Sequence, residues 1–477
     1  MKTIWKVLIC FALLLALLLG GMFWFQSEYL EIESEYLKKD ITELTLTQKP
    51  LPEAEVLQEL TCLRELDVRR TQLSIDEYEQ LKAVLPDCEI QWLVPFQGQY
   101  LPEDTAELTV SSLTSDDFRS FEYLPKLKTI HADGCRDYDA LLALRAARPD
   151  LDIHYTVAIN GEEFADDTAE LTLSDANIDE VAVAIPYLPQ LRQIVFTGTA
   201  PQNDAIYQLM CDYPHISFHW NLTLFGIETP NTATELILSG IPMEDSSEVE
   251  GYLKYFPNLE RVEMCDCGIP SAEMDALSQR WPDIRFVWTV KIGLGKLRTD
   301  TTAFMPLHLG YAMTSPLYDE DCTELKYCTD MVCLDLGHMR IKDLSFLAYM
   351  PKLKYLIVAD IPCKDYSALA NLKELIYLEI FMVKFPNQEV LLELTNLQDL
   401  NISLTAIEDV EVFKQMSWLK RLWASGSGIT TPQLDALRIA LPNTQIKTNL
   451  PHSTAGGWRD HQNYRDMRDL LGMFYMD

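Results

Sequence analysis

Basic residues are scarce in this chain. Lysine and arginine number 39 against 72 aspartates and glutamates, a formal charge of −33 over 477 residues. So acidic a surface repels phosphate backbones, which argues against nucleic acid as a partner. Reactive motifs are missing too: the chain has no G-x-S-x-G, no H-E-x-x-H and no phosphate-cradling glycine loop. No enzyme and no cofactor are therefore expected. The eight histidines are scattered. His215 and His219 fall four apart in a strand-like segment, a separation of about 13 Å that prevents shared metal ligation. Cys322, Cys328 and Cys333 lack the paired C-x-x-C spacing of zinc knuckles. The acidic strings at 162–167 and 319–321 lack the alternating ligands and central glycine of a calcium loop. No metal site is expected either.

Eleven cysteines are present. Cys135 and Cys267 occupy the slot that other units give to Thr71 and Thr199, and Cys62, Cys88 and Cys363 fall at apolar or loop positions. Buried free thiols are the expectation, with a pair near the middle of the chain left open. Asn221-Leu222-Thr223 and Asn401-Ile402-Ser403 match glycosylation acceptors.

What the chain does have is periodicity. Leu334, Leu356, Leu378, Leu400 and Leu422 open short strands 22 residues apart, so one supersecondary unit is stacked to share a continuous core. The first half has a longer period. TELTL at 42–46, AELTV at 106–110, AELTL at 169–173 and TELIL at 234–238 start 64, 63 and 65 residues apart. Each opens a module of strand, strand, helix and strand. The helices carry apolar residues at three- and four-residue spacing, as at Tyr78, Leu81 and Leu85, and end at Pro86, Pro149, Pro214 and Pro282. Gly-containing turns such as FQGQ and INGEE predict a hairpin after the third strand.

The expected plan is four long modules over 41–290, an irregular junction over 291–330, and short repeats with a closing unit over 331–450. A capping tail follows over 451–477. In the tail Tyr464, Met467 and Leu470 are spaced for an amphipathic helix folding back over the last repeat.

At the other end, Lys2 and Lys6 precede an apolar run of 19 residues from Val7 to Phe25. At about 1.5 Å per residue the run nearly matches a hydrocarbon core of about 30 Å. The exit Leu19-Gly20-Gly21 lacks the small residue a signal peptidase needs. The expectation is a cytoplasmic stub over 1–6, an uncleaved transmembrane signal anchor over 7–25 and a linker over 26–40. The bulk of the chain would then be extracytoplasmic, at the cell surface. Cleavage is the alternative.

The short strands fit L-x-x-L-x-L with an apolar residue five further on: Leu353, Leu356, Val358 and Cys363; Leu397, Leu400, Ile402 and Ile407; Leu419, Leu422, Ala424 and Ile429. This pattern resembles the leucine-rich-repeat family over roughly 41–450. The 22-residue array is similar to the short repeats of bacterial internalin-like surface proteins, and the first half to longer, ribonuclease-inhibitor-like repeats. The resemblance implies an α/β fold: a leucine-rich repeat solenoid with a parallel β-sheet on the concave face, here preceded by one transmembrane helix. It departs from the family where repeats usually carry a ladder of Asn. Those positions hold Met339, Ile361, Val383, Thr405 and Ser427, which implies apolar filling of the turn.

In such repeats the residues flanking the strand leucines point outward. In this array they include Asp335, Tyr355, Tyr377, Glu379, Phe381, Asp399, Asn401, Arg421 and Trp423. Aromatic, Arg and carboxylate side chains gathered on one wall resemble the anchors of recognition surfaces. Adjacent strands lie about 4.8 Å apart, so Tyr355 and Tyr377 are expected to stack. The reading is a non-catalytic, membrane-anchored protein binding a protein or polysaccharide on that wall. The alternatives are a scaffold that organises envelope proteins, and aromatics that merely pack against the tail.

Overall fold

Short parallel strands, each with one leucine-like residue turned inward, recur along nearly the whole chain. The computed structural model describes residues 2–198 and 202–473. The chain divides into two compact units, Met1–Trp220 and Asn221–Asp477, so the division falls ahead of the irregular stretch 291–330.

The first unit begins with a helix over Lys2–Glu28 and a hairpin of Tyr29–Ile32 with Glu35–Lys38, where the sequence had suggested a linker. The transmembrane expectation is corrected here: among the described residues, no helix is long and apolar enough to cross a membrane. The helix's side chains are described without a break only over 7–22. Residues 23–25 of the expected span lie outside the described side chains.

Three module sheets follow in this unit. Glu43–Thr45, Glu65–Asp67 and Glu89–Gln91 pair in parallel, with Leu44, Leu66 and Ile90 in register and buried. Leu108, Ile130 and Ile153 repeat that arrangement, as do Leu171, Ile194 and Phe218. Alternation throws the flanking residues to the other face, so Glu43, Thr45 and Glu65 are exposed while Leu44 and Leu66 are dry. The helices Ile75–Val84, Tyr138–Ala147 and Asn203–Asp212 each stop two residues before a proline, whose ring bars the preceding residue from helical backbone. Ser74 and Glu77 form a reciprocal capping box at the first of them.

The second unit opens with a hairpin, Asn221–Leu224 with Ile227–Pro230, and a fourth module sheet built on Leu236, Val262 and Phe286. Across both units the hairpins anticipated after the third strands are present. Their turns Gln97-Gly98, Asn160-Gly161 and Phe225-Gly226 hold both central residues at positive φ. That is the turn whose twist matches a two-residue hairpin.

The rest of the second unit is a seven-stranded parallel sheet. Its strands run in chain order: Ala303–Phe304, Cys333–Asp335, Tyr355–Ile357, Tyr377–Glu379, Asp399–Asn401, Arg421–Trp423 and Gln445–Lys447. The stretch 291–330 thus contributes the first strand. Leu334, Leu356, Leu378, Leu400 and Leu422 stand in register and are all 0% exposed. Burying one such side chain is worth about 1.5–3 kcal/mol, and their stack is the spine of the array.

A second regularity shares the 22-residue period. His338, Asp360, Met382, Leu404 and Gly426 all adopt left-handed backbone, with φ between 51° and 68°. The first four donate their N–H to Ala359, Phe381, Ser403 and Ser425 of the next repeat at 2.7–3.0 Å. One position later come the residues that replace the asparagine ladder. Met339, Ile361 and Val383 fill the turn with apolar bulk, whereas the Thr405 and Ser427 hydroxyls donate to the carbonyls of Ile380 and Ala424 at 3.1 and 2.6 Å.

Candidate functional site

The array's registers align the candidate residues in two tracks. Tyr355, Tyr377, Asp399 and Arg421 follow one another across four strands, with Ile357, Glu379, Asn401 and Trp423 beside them. Asp335 opens the second track opposite Ile357, and Phe381 lies two residues beyond Glu379. All nine candidates therefore belong to one wall. That wall is closed. Tyr377, Glu379, Asp399 and Asn401 are 0% exposed, Tyr355, Phe381, Arg421 and Trp423 at most 7%, and Asp335 is partly buried.

The chain's own C-terminal segment covers them. After the last strand, residues 450–473 retrace the array from its last row to its first. Leu450 exchanges hydrogen bonds with Ser425 Oγ at 2.9 and 3.1 Å. Asn401 Nδ2 donates to Ser453 O at 3.0 Å, Trp423 Nε1 to Ala455 O at 2.9 Å, and an Arg421 guanidinium N–H to Trp458 O at 3.1 Å. Trp458 returns its indole N–H to Glu379 Oε1 at 2.7 Å, and Arg459 reaches the other Glu379 oxygen at 3.4 Å. Asn463 Nδ2 donates to Asp399 Oδ2 at 2.8 Å. The helix Gln462–Leu470 then carries Tyr464 and Met467 onto the first rows, and His308 Nε2 meets Leu471 O at 2.9 Å.

Wall and segment form one apolar cluster that includes Cys333, Tyr355, Ile357, Tyr377, Phe381, Trp423, Trp458, Tyr464 and Met467. Tyr377 finds its ring neighbours in Trp458 and Tyr464, at 5.3 and 6.2 Å, and Trp458 stands 5.2 Å from Trp423. The expected stacking partner Tyr355 is replaced by the incoming segment. The tail helix forms where its spacing predicts. It buries Tyr464 and Met467 on the strand wall, rather than over the last repeat.

Charge is embedded in this cluster. Arg421 holds Asp399 through two parallel hydrogen bonds of 2.8 Å, with both side chains nearly inaccessible, the planar fork that best suits a carboxylate. The same guanidinium lies 4.5 Å from the Trp458 ring centre. His461 Nδ1 sits 3.2 Å from Asp399, and the Tyr377 hydroxyl donates to Glu379. Burial pushes the Asp335 carboxyl up to about 6. The Gly337 N–H works against that rise, nearby Glu379 adds to it, and Arg459 and His338 oppose it. Burial likewise lifts the Cys333 thiol far above its ordinary range, so it is no nucleophile.

All eleven cysteines are unpaired, eight of them buried, with Cys10, Cys62 and Cys211 exposed. Among the described residues no group of three His, Cys, Asp or Glu is placed to hold a metal ion. Asn401, in one of the glycosylation matches, is enclosed and bonded to Ser453.

The sequence grouped the nine candidates and held open that their aromatics pack against the tail, which is the arrangement observed. Leu450, Ser453, Ala455, Arg459, His461 and Asn463 carry no pattern that announces a docking segment. The visible signal was the spacing of Tyr464, Met467 and Leu470.

Tandem parallel strands with an inward leucine every 22 residues give this chain a leucine-rich repeat fold. Searches against protein-family models and curated sequences gave no match. Among solved structures the chain is similar to an internalin of Listeria monocytogenes, at 16% identity over 85% of this chain and 94% of that one, with a TM-score of 0.27. It is also similar to a leucine-rich repeat protein of Leptospira interrogans, at 14% identity over 86% and 90%, with a TM-score of 0.27. A second internalin, C2 of Listeria monocytogenes, is 17% identical over 55% and 80%, with a TM-score of 0.21. The class rests on this chain's own strand ladder.

Proposed function

We propose that the chain is a non-catalytic binding protein whose ligand, a protein or a polysaccharide, is received on the wall of the 22-residue array. One observation carries the reading. Glu379, Asp399, Asn401, Arg421 and Trp423 spend their polar atoms on residues 450–473 and on one another, although a purely structural core gains little from buried charge. A wall built this way discriminates among occupants. Display outside the cytoplasm accompanies the reading through the likeness of the short repeats to those of bacterial surface proteins.

The test is a panel of surface proteins and glycans presented to the purified chain and to a Tyr464→Ala variant. Binding that rises in the variant and disappears when Arg421→Ala is added supports the proposal. Binding indifferent to both changes contradicts it. The closed wall also favours a second reading, a scaffold whose partners meet the flanks of the repeats, and that indifferent result is its signature.

A further inference from the structure

We infer that the wall is a receptor for a peptide bearing a Trp-Arg pair, with residues 450–473 as its resident occupant in cis. This rests on the binding reading above and narrows its ligand to polypeptide. Three wall side chains, Asn401, Trp423 and Arg421, donate to the backbone carbonyls of residues 453, 455 and 458. Three donors aimed at main-chain carbonyls between residues 453 and 458 suit a polypeptide occupant.

Sequence is read at two further points. One Glu379 carboxylate takes both the Trp458 indole N–H and the Arg459 guanidinium, while the indole itself is enclosed by Tyr377, Trp423 and Arg421. Asp399, already gripped by Arg421, takes the amide of Asn463. Aromatic and arginine anchors in desolvated pockets are what concentrate binding energy at peptide interfaces.

Gly456 and Gly457 precede the anchor in left-handed backbone, φ 70° and 85°, and Arg459 and His461 keep 46% and 38% of their side chains in solvent. A tethered occupant acts at an effective concentration of roughly millimolar, so an outside peptide meets strong competition in the intact chain. Loosening the anchor removes that competition.

The experiment uses a fluorescent peptide spanning residues 450–473 and the full chain carrying Trp458→Ala with Arg459→Ala, its fold verified by circular dichroism. Anisotropy is expected to show the variant binding at least about tenfold more tightly than the unaltered chain. Glu379→Gln in the same variant, or alanines at the two anchor positions of the peptide, should each weaken binding by at least about tenfold. A folded variant that ignores the peptide, or takes both peptides equally, overturns the inference. If the variant does not fold, millimolar peptide added to the unaltered chain decides the matter. Hydrogen exchange in 450–473 is then expected to accelerate, and unchanged exchange overturns the inference. A glycan that binds the loosened wall where the peptide does not would overturn the inference and leave the binding reading intact. If neither binds, both fail.

Discussion

At the scale of single residues, burial decides which groups can react. Burial pushes Cys322 and Cys328 up to about 12, where the thiolate is negligible at neutral pH. A thiol reagent at pH 7.5 is therefore expected to modify Cys10, Cys62 and Cys211 in the native chain, and the other eight only on unfolding. Peptide mapping of the labelled cysteines checks this. Asp335 makes the opposite kind of statement, since its folded value of about 6 lies above the unfolded value of about 3.9. The folded state pays for the ionised form, so its contribution to stability falls as pH rises from about 4 through 6 and is level beyond. Asp335→Asn should stabilise the chain at pH 7.5 by up to about 3 kcal/mol, with the gain gone near pH 4. Melting curves at the two pH values measure it. A gain that persists at pH 4 would assign the effect to something other than charge burial.

At the scale of elements, the 22-residue unit explains how much was legible in advance. Strand positions, inward leucines, helix stops and hairpin turns all depend on short-range patterns of pleat, proline and glycine, and each was read from such a pattern. The left-handed link at His338, Asp360, Met382, Leu404 and Gly426 was not. Gly426 has the residue type that advertises it and His338 and Asp360 tolerate it, whereas Met382 and Leu404 adopt a backbone their side chains disfavour while the next repeat's carbonyl captures the N–H. Gly426→Ala should cost about 1–2 kcal/mol. Its φ is 68°, and an added Cβ would lie 2.6 Å from Leu404 Cδ2. Denaturant midpoints give the answer, and an unchanged midpoint would mean that the link is not under strain. Leu378→Ala, in the middle of the stack and 0% exposed, should cost about 2–5 kcal/mol.

For the whole molecule, the lesson concerns surfaces. Periodicity showed which side chains leave the leucine core, and the registers place all nine candidates on one wall. It could not show whether that wall faces solvent, because the answer lies in a segment some 30 to 130 residues away in sequence. Trp458 and Arg459 both reach Glu379 across that separation. The N-terminal helix taught a related lesson: hydropathy alone promised a membrane span, and among the described residues none is long and apolar enough. What the repeats establish is a leucine-rich scaffold whose best-furnished face is already taken.

Cys333 offers a native reporter of that occupancy. It stands in the first full repeat's strand, 0% exposed, with its Sγ 3.7 Å from Met467 O of the covering helix. The most direct measurement is its rate of alkylation in the unaltered chain and in a Tyr464→Ala, Met467→Ala variant, with Cys328 of the inner core as control. Closure of the wall by the C-terminal helix requires slow labelling in the unaltered chain. In the variant Cys333 should then label at least about tenfold faster while Cys328 stays slow. Labelling of Cys333 in the unaltered chain as fast as that of exposed Cys62, or no acceleration in a folded variant, would contradict it.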